Sequence, residues 1–258
     1  MPTLVTIPFS HFCEKARWSL DAAGVAYDEE GHCPGLHRPA VRRAGGRRSV
    51  PVLVLEDGAV LDDSPLIVKF ADTRAPVGRK LLPDDASTRE EAMALERHLD
   101  VDFAPHVRRF VYHHLLPDRA QTLRLFDLRT PRIERVAVRV AFPLLRRFMR
   151  RFMHIDEARA LQSRDQARRV LDEIGGRLRD GRPYLMGDRF GALDIAFAAF
   201  AAPMILPPNH PGTGPWTGAL GTGLGALPEA FGKEVSTARE TPAGRFAERL
   251  YKENRHLH

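Results

Sequence analysis

Two cysteines, Cys13 and Cys33, stand in 258 residues. That is too few for a disulfide framework, and they lack the paired CxxC spacing of a structural zinc site; a cytoplasmic, reducing compartment is the expectation. Long apolar runs are missing too. The longest, Ile195 to Leu206, is interrupted by Pro203 and falls well short of the roughly 18 residues that span a bilayer, so no integral membrane segment is expected. Met1 to Ile7 has none of the charged-then-apolar pattern of an export signal. No internal repeat stands out. His113 and His114 face different ways on a helix and have no evident third ligand, so no metal is expected. Lys and Arg number 39 against 33 Asp and Glu, a net +6. The excess is spread along the chain rather than clustered with stacking aromatics, which argues against nucleic acid and for an acidic small molecule or a mere solubility charge.

The stretch from Phe9 to Trp18 carries the chemistry that is there. A short apolar strand, Leu4 to Ile7, ends at Pro8, and a helix begins with Ser10 as its cap. The first turn of a helix presents unpaired N–H groups and the positive end of the macrodipole, which favours a thiolate there by about 1 kcal/mol. Ser10, nearest the helix mouth, cannot exchange disulfides but can donate a hydrogen bond to the sulfur of a thiol-bearing cosubstrate. Cys13, three residues on, is either a thiol nucleophile or a small buried residue.

The helix continues through Ala16, Leu20 and Ala23 and stops at Gly24, and Val25 to Tyr27 reads as a strand. A loop from Gly31 to Arg48 precedes the strand Val50 to Leu55, a turn at Asp57-Gly58 and a short Val60-Leu61, which is a hairpin signal. Asp63-Ser64-Pro65 opens a helix with Leu66, Ile67 and Phe70 on its apolar face, Ser64 being the expected cap and Pro65 the first helical residue. Pro51 sits where a proline takes either an edge position or a cis peptide. Arg74 to Asp84, with Pro76, Gly78 and Pro83, reads as a linker, and from Ala86 onward the pattern is helical. The expected organisation is an α/β unit (βαβ, hairpin, α) over residues 1–75, a linker over 76–86 and an all-helical domain over 87–258.

Ser10-His11-Phe12-Cys13 with Arg17, then Val50-Pro51-Val52-Leu53, then Asp63-Ser64 with Ile67 follow one another in an order and spacing that resemble the N-terminal domain of the cytosolic, bacterial-type glutathione transferase family. The resemblance implies a thioredoxin-like fold for that domain and glutathione as cosubstrate. It implies that Ser10 occupies the family's Tyr, Ser or Cys position, and that Val50 before a cis Pro51 pairs with the cysteine of glutathione. Asp63 and Ser64 would hold the γ-glutamyl end, its amino group and carboxylate respectively, a role suited to a helix N-terminus. Phe12 lines the mouth, and His37, Arg38 and Arg48 are the candidate cations for the glycine carboxylate. The implied activity is activation of the glutathione thiol for attack on a small hydrophobic electrophile, in a homodimer. A non-catalytic binding or scaffold protein, and a thiol oxidoreductase using Cys13, are the alternatives.

In the second half, Tyr184 to Ile195 resembles the buried helix start of the family's C-terminal domain, with Gly191 where a Ser or Thr caps and Asp194 left to complete half of a capping box. Leu144 to Met153 puts Arg146, Arg147, Arg150 and Arg151 on one side and Leu145, Phe148, Met149, Phe152 and Met153 on the other, the pattern of a core-packed helix with a solvated basic face, the alternative being a surface for anionic lipid or an acidic substrate. Pro207 to Gly225 reads as a long loop.

Overall fold

A computed structural model describes residues 1–47, 49–210 and 227–255. The N-terminal part is one four-stranded sheet in the order β2-β1-β3-β4. Strand β1 (Thr3–Thr6) pairs parallel with β2 (Asp28–Gly31) and antiparallel with β3 (Val52–Val54), which pairs antiparallel with β4 (Val60–Leu61). Helix α1 (His11–Ala22) makes the crossover between β1 and β2, as a parallel pair requires. Helix α3 (Ser64–Arg74) follows the hairpin and packs on α1. This is the thioredoxin-like arrangement the sequence suggested.

Three local expectations are corrected. The second strand is Asp28–Gly31 rather than Val25 to Tyr27. Its acidic side chains are held from outside the strand: Arg17 donates to Glu29 at 2.6 Å and Arg43 to Glu30 at 2.5 Å. The loop expected from Gly31 to Arg48 contains helix α2 (His37–Arg43). At α3 the cap is Asp63, whose Oδ1 accepts from Ser64 N at 2.8 Å, and Ser64 and Pro65 are the first two helical residues. The Val50–Pro51 peptide is cis.

The rest is helical: α4 (Ala86–His98), a π-helical turn Leu99–Phe103, α5 (Ala104–Leu115), α6 (Arg119–Phe126), α7 (Arg132–Phe152), α8 (Glu157–Arg177), α9 (Ala192–Ile205), α10 (Glu229–Glu240) and α11 (Pro242–Glu253). Helix α9 is apolar on every side and buried along almost its whole length, as such a helix must be. It packs against α1, α4, α5, α10 and α11. Asp194 behaves as expected: its Oδ2 accepts from Gly191 N at 2.9 Å and its Oδ1 from Leu185 N at 2.8 Å. Gly191 stands at the cap because a Cβ there would lie 2.7 Å from the Leu81 carbonyl oxygen, the same oxygen that accepts from Ala192 N.

The two halves are joined by polar clamps as well as packing. Asp72 at the end of α3 accepts from Leu81 N and Leu82 N at 2.7 and 2.9 Å, fixing the linker. On α1, Lys15 is fully buried, with Nζ 2.7 Å from Glu96 and 3.0 Å from Asp100. Glu14, also fully buried, lies between Arg17 at 3.0 Å and Arg255 at 2.7 Å.

Helices α6 and α7 reach back over the sheet unit. Glu134 accepts from Cys33 N at 2.7 Å and pairs with His32 at 2.6 Å, while Phe126 stacks on Phe9 with ring centres 5.3 Å apart. The approach is close enough that a Cβ at Gly31 would meet the Arg129 carbonyl oxygen at 2.4 Å. Helix α7 is only partly core-packed. Val138, Phe142 and Met149 are buried, whereas Phe148 and Phe152 are exposed, and so are Ile133, Val136, Val140 and Leu144. The loop read at Pro207 to Gly225 lies outside the described residues from 211 onward.

Candidate active site

The turn from β1 into α1 opens onto a cavity of about 630 Å³, a size suited to a small organic ligand. Its floor comes from the sheet unit: Ser10, His11 and Phe12 from the turn, His37 and Arg38 from α2, and Val50 before β3. Its wall comes from α5, with Arg108, Val111 and Tyr112, and its roof from α7, with Phe148, Met149 and Phe152. The lining is mainly apolar with a few converging polar groups, the usual make-up of a ligand site.

Ser10 is the N-cap of α1 in extended backbone geometry, and its carbonyl accepts from Glu14 N at 2.8 Å. Its hydroxyl caps no helix N–H. It is partly exposed on the cavity edge. Cys13 is one turn deeper, fully buried and outside the cavity lining. Burial pushes its thiol up to about 11, a rise that Arg17, the Ile7 backbone and the Ser10 hydroxyl only partly offset. A thiol so placed is protonated at neutral pH.

Two histidines of the cavity are held neutral by their surroundings. His11 is pushed down to about 3 by burial and then by the Arg108 charge, and its Nε2 lies 3.2 Å from the Ala104 carbonyl oxygen. His37 is lowered by burial and by Arg38, and its Nδ1 accepts from Gly35 N at 3.2 Å. Of the cations proposed for a carboxylate, Arg38 keeps a permanent charge on the cavity edge, its guanidinium over the Phe148 and Phe152 rings at 5.4 and 5.8 Å. Arg48 lies outside the described residues.

Ser10, Phe12, His37, Arg38 and Val50 therefore share one cavity, and Cys13, Pro51, Asp63 and Ser64 stand outside its lining. Asp63 and Ser64 are at the start of α3, the helix packed on α1. The Ser64 hydroxyl is buried and has no hydrogen-bond partner among the described residues, an incomplete arrangement that a bound acceptor would complete. Sequence reasoning missed Arg108 and Tyr112. Their signal was an arginine and a tyrosine four apart on an otherwise apolar helical face, which places both on one side. The arginines at 146, 147, 150 and 151 line a separate, shallower groove with Arg159 from α8. Among the described residues no cluster of three metal-ligating side chains occurs, and no helix is long and apolar enough to cross a membrane.

A thioredoxin-like sheet unit, a helical unit built round one buried helix and a ligand cavity between them define the glutathione transferase class of protein. Residues 4–80 match the model of the glutathione S-transferase N-terminal domain and residues 156–224 that of its C-terminal domain. The chain belongs to the glutathione transferase family. It is similar to a glutathione S-transferase from Pseudomonas fluorescens Pf-5, with TM-score 0.55, 17% identity and coverage of 100% of this chain and 98% of that one. A glutathione S-transferase from Sinorhizobium meliloti 1021 gives 0.54 and 20%, with 96% and 91% covered. One from Methylobacillus flagellatus KT with GSH bound gives 0.53 and 17%, with 96% and 98% covered. These identities establish the fold alone. No curated protein matches the sequence. Segment 81–155, which supplies α5, α6 and α7 and so most of the cavity's wall and roof, lies outside both matched domains.

Proposed function

We propose that the protein is a glutathione transferase in which Ser10 hydrogen-bonds the sulfur of glutathione and lowers its pKa, so that the thiolate attacks an electrophile held in the cavity. The observation that carries this reading is the contrast at the turn: a serine hydroxyl on the cavity edge that caps no helix N–H, against a cysteine buried and protonated. Family membership and the GSH-bound relative support glutathione as the cosubstrate. The unpartnered Ser64 hydroxyl supports the start of α3 as the place of its γ-glutamyl carboxylate, with Asp63 beside it for the amino group. With His37 neutral, Arg38 is the favoured cation for the glycine carboxylate. The burial of Cys13 and its raised pKa support a packing role for it and favour Ser10 over the oxidoreductase reading.

A hydrogen bond to a charged acceptor is worth about 1.5–3 kcal/mol, so Ser10→Ala should slow conjugation at neutral pH by roughly tenfold to a hundredfold and move the pKa of bound glutathione toward a free thiol's. Cys13→Ala should change the rate little. The test is calorimetric titration with glutathione, then pH-rate profiles of both variants. Turnover abolished in Cys13→Ala and intact in Ser10→Ala would reverse the assignment and make Cys13 the nucleophile.

A further inference from the structure

Arg108 is a cation without a counterion among the described residues. It projects from α5 into the cavity wall, with its guanidinium 6.0 Å from the centre of the Phe12 ring. Desolvation there holds its pKa below the usual arginine value, and the other groups that act on it are Tyr112 and Arg109. No Asp or Glu among the described residues pairs with it, and the residues outside that set, Arg48, 211–226 and 256–258, include no Asp or Glu. Arg108 is partly buried on the cavity wall, and withdrawing even part of a guanidinium from water with no anion beside it is unfavourable. Arg17 and Arg255, elsewhere in the same protein, are deeply buried and each is matched to carboxylates.

One turn on, Tyr112 also lines the cavity. Burial raises its phenol well above the usual value, so it stays a neutral O–H donor, and no acceptor among the described residues is matched to it. Four residues apart on one helix, the two side chains present a charged fork and a hydroxyl on the same side. The groups that share the cavity with them include Phe12 from the turn, Val111 and Leu115 on α5, and Phe148 and Phe152 on α7, while its other cations, Arg38, Arg42 and Arg47, come from the sheet unit. Donors for one anionic group, set in an apolar chamber, describe an amphipathic anion.

We propose that the second substrate of this cavity is an electrophile bearing a carboxylate or similar single anionic group on an apolar, aromatic-sized body, with the anion held by Arg108 and Tyr112 and the body against Phe12, Phe148 and Phe152. The proposal rests on the reading of this cavity as the electrophile's site. It separates two anion-binding duties: the sheet-unit groups at Arg38, Asp63 and Ser64 serve glutathione, and the α5 pair serves its partner.

Calorimetric titration of the full chain, without glutathione, uses 4-phenylbutanoate and its neutral counterpart 4-phenylbutanol. The acid should bind at least tenfold more tightly than the alcohol, because a charge-assisted hydrogen bond in a desolvated site is stronger than a neutral one. Arg108→Met should bring the two within twofold of each other while leaving glutathione affinity within twofold of wild type, and Arg108→Lys should keep most of the preference. Equal binding of acid and alcohol by the wild type overturns the proposal. So does a preference that survives in Arg108→Met, or a parallel loss of glutathione and acid binding, which would give Arg108 to glutathione. Failure of the wild type to bind glutathione counts against the proposed function alone, because the acid and alcohol titrations contain none.

Discussion

Replacing Glu14 by glutamine removes one charge from a site that has no solvent. Burial disfavours the Glu14 carboxylate, yet Arg255, His210 and Arg17 outweigh it and hold the group at about 2, against an ordinary 4.5. That displacement corresponds to about 3 kcal/mol of native-state stability at neutral pH. Arg17 would retain Glu29 at 2.6 Å and the Pro8 carbonyl at 2.6 Å, and Arg255 would retain Asp21 at 2.8 Å, so neither cation is stranded. At about 2–4 °C per kcal/mol for a chain of this size, the midpoint of thermal unfolding should fall by roughly 6–12 °C at pH 7. The sign with pH comes from the depressed pKa. The contribution is complete above the unfolded-state value of 4.5 and is lost as pH falls toward 2. By pH 4 about 1 kcal/mol of the wild-type advantage should have gone, and the gap to Glu14→Gln should have narrowed accordingly. Circular dichroism melts and urea titrations of both proteins at pH 7 and pH 4 read this directly. A shift under 2 °C at pH 7, or a gap unchanged at pH 4, refutes the assignment of Glu14 as a buried ion.

At Gly191, cap preference and packing give opposite signs. Serine is the better N-cap by a few tenths of a kcal/mol, but its Cβ would lie 2.7 Å from the Leu81 carbonyl oxygen, so Gly191→Ser should destabilise by about 1–3 kcal/mol; a raised urea midpoint contradicts this. A homodimer with a two-fold axis is expected, as the family resemblance implies and as the commonest closed assembly, and light scattering at micromolar concentration should return twice the mass of one chain. The exposed row Ile133, Val136, Val140 and Leu144 on α7 offers an apolar face for the partner. Val140→Glu should then return the single-chain mass, and a wild-type monomer overturns the expectation.

What could be read from residues alone was local or motif-borne. Pro8 and Ser10 announce a strand-to-helix turn, Asp57-Gly58 a hairpin, and the resemblance of Tyr184 to Ile195 a buried helix start; all three are in the structure. The strand at Asp28–Gly31 was illegible because its residues are poor strand formers, and what holds them is Arg17, Arg43 and the register with β1. Helix α2 was hidden by Pro34, Gly35, Gly45 and Gly46 around it and by Pro39 in its first turn. The site divides the same way. The glutathione half rests on short motifs at helix starts, whereas the spacing of Arg108 and Tyr112 marks only a shared helix face, and it is tertiary packing that brings that face and the α7 roof to the turn about a hundred residues away.

The contact between Glu14 and Arg255 spans 241 residues. Arg17 is synthesised three residues after Glu14, but at roughly 5–20 residues per second the carboxylate waits about 10–50 seconds on the ribosome before its second partner, Arg255, exists. During that interval the sheet unit has every strand it needs but cannot seal α1, whose inner face carries Glu14 and Lys15 destined for a dry interior. Complete burial of the charges on α1 is thereby made conditional on the second half. A chain released early would expose two charged groups and the apolar surface around them, and it is this species, rather than the native protein, that a chaperone or protease would meet.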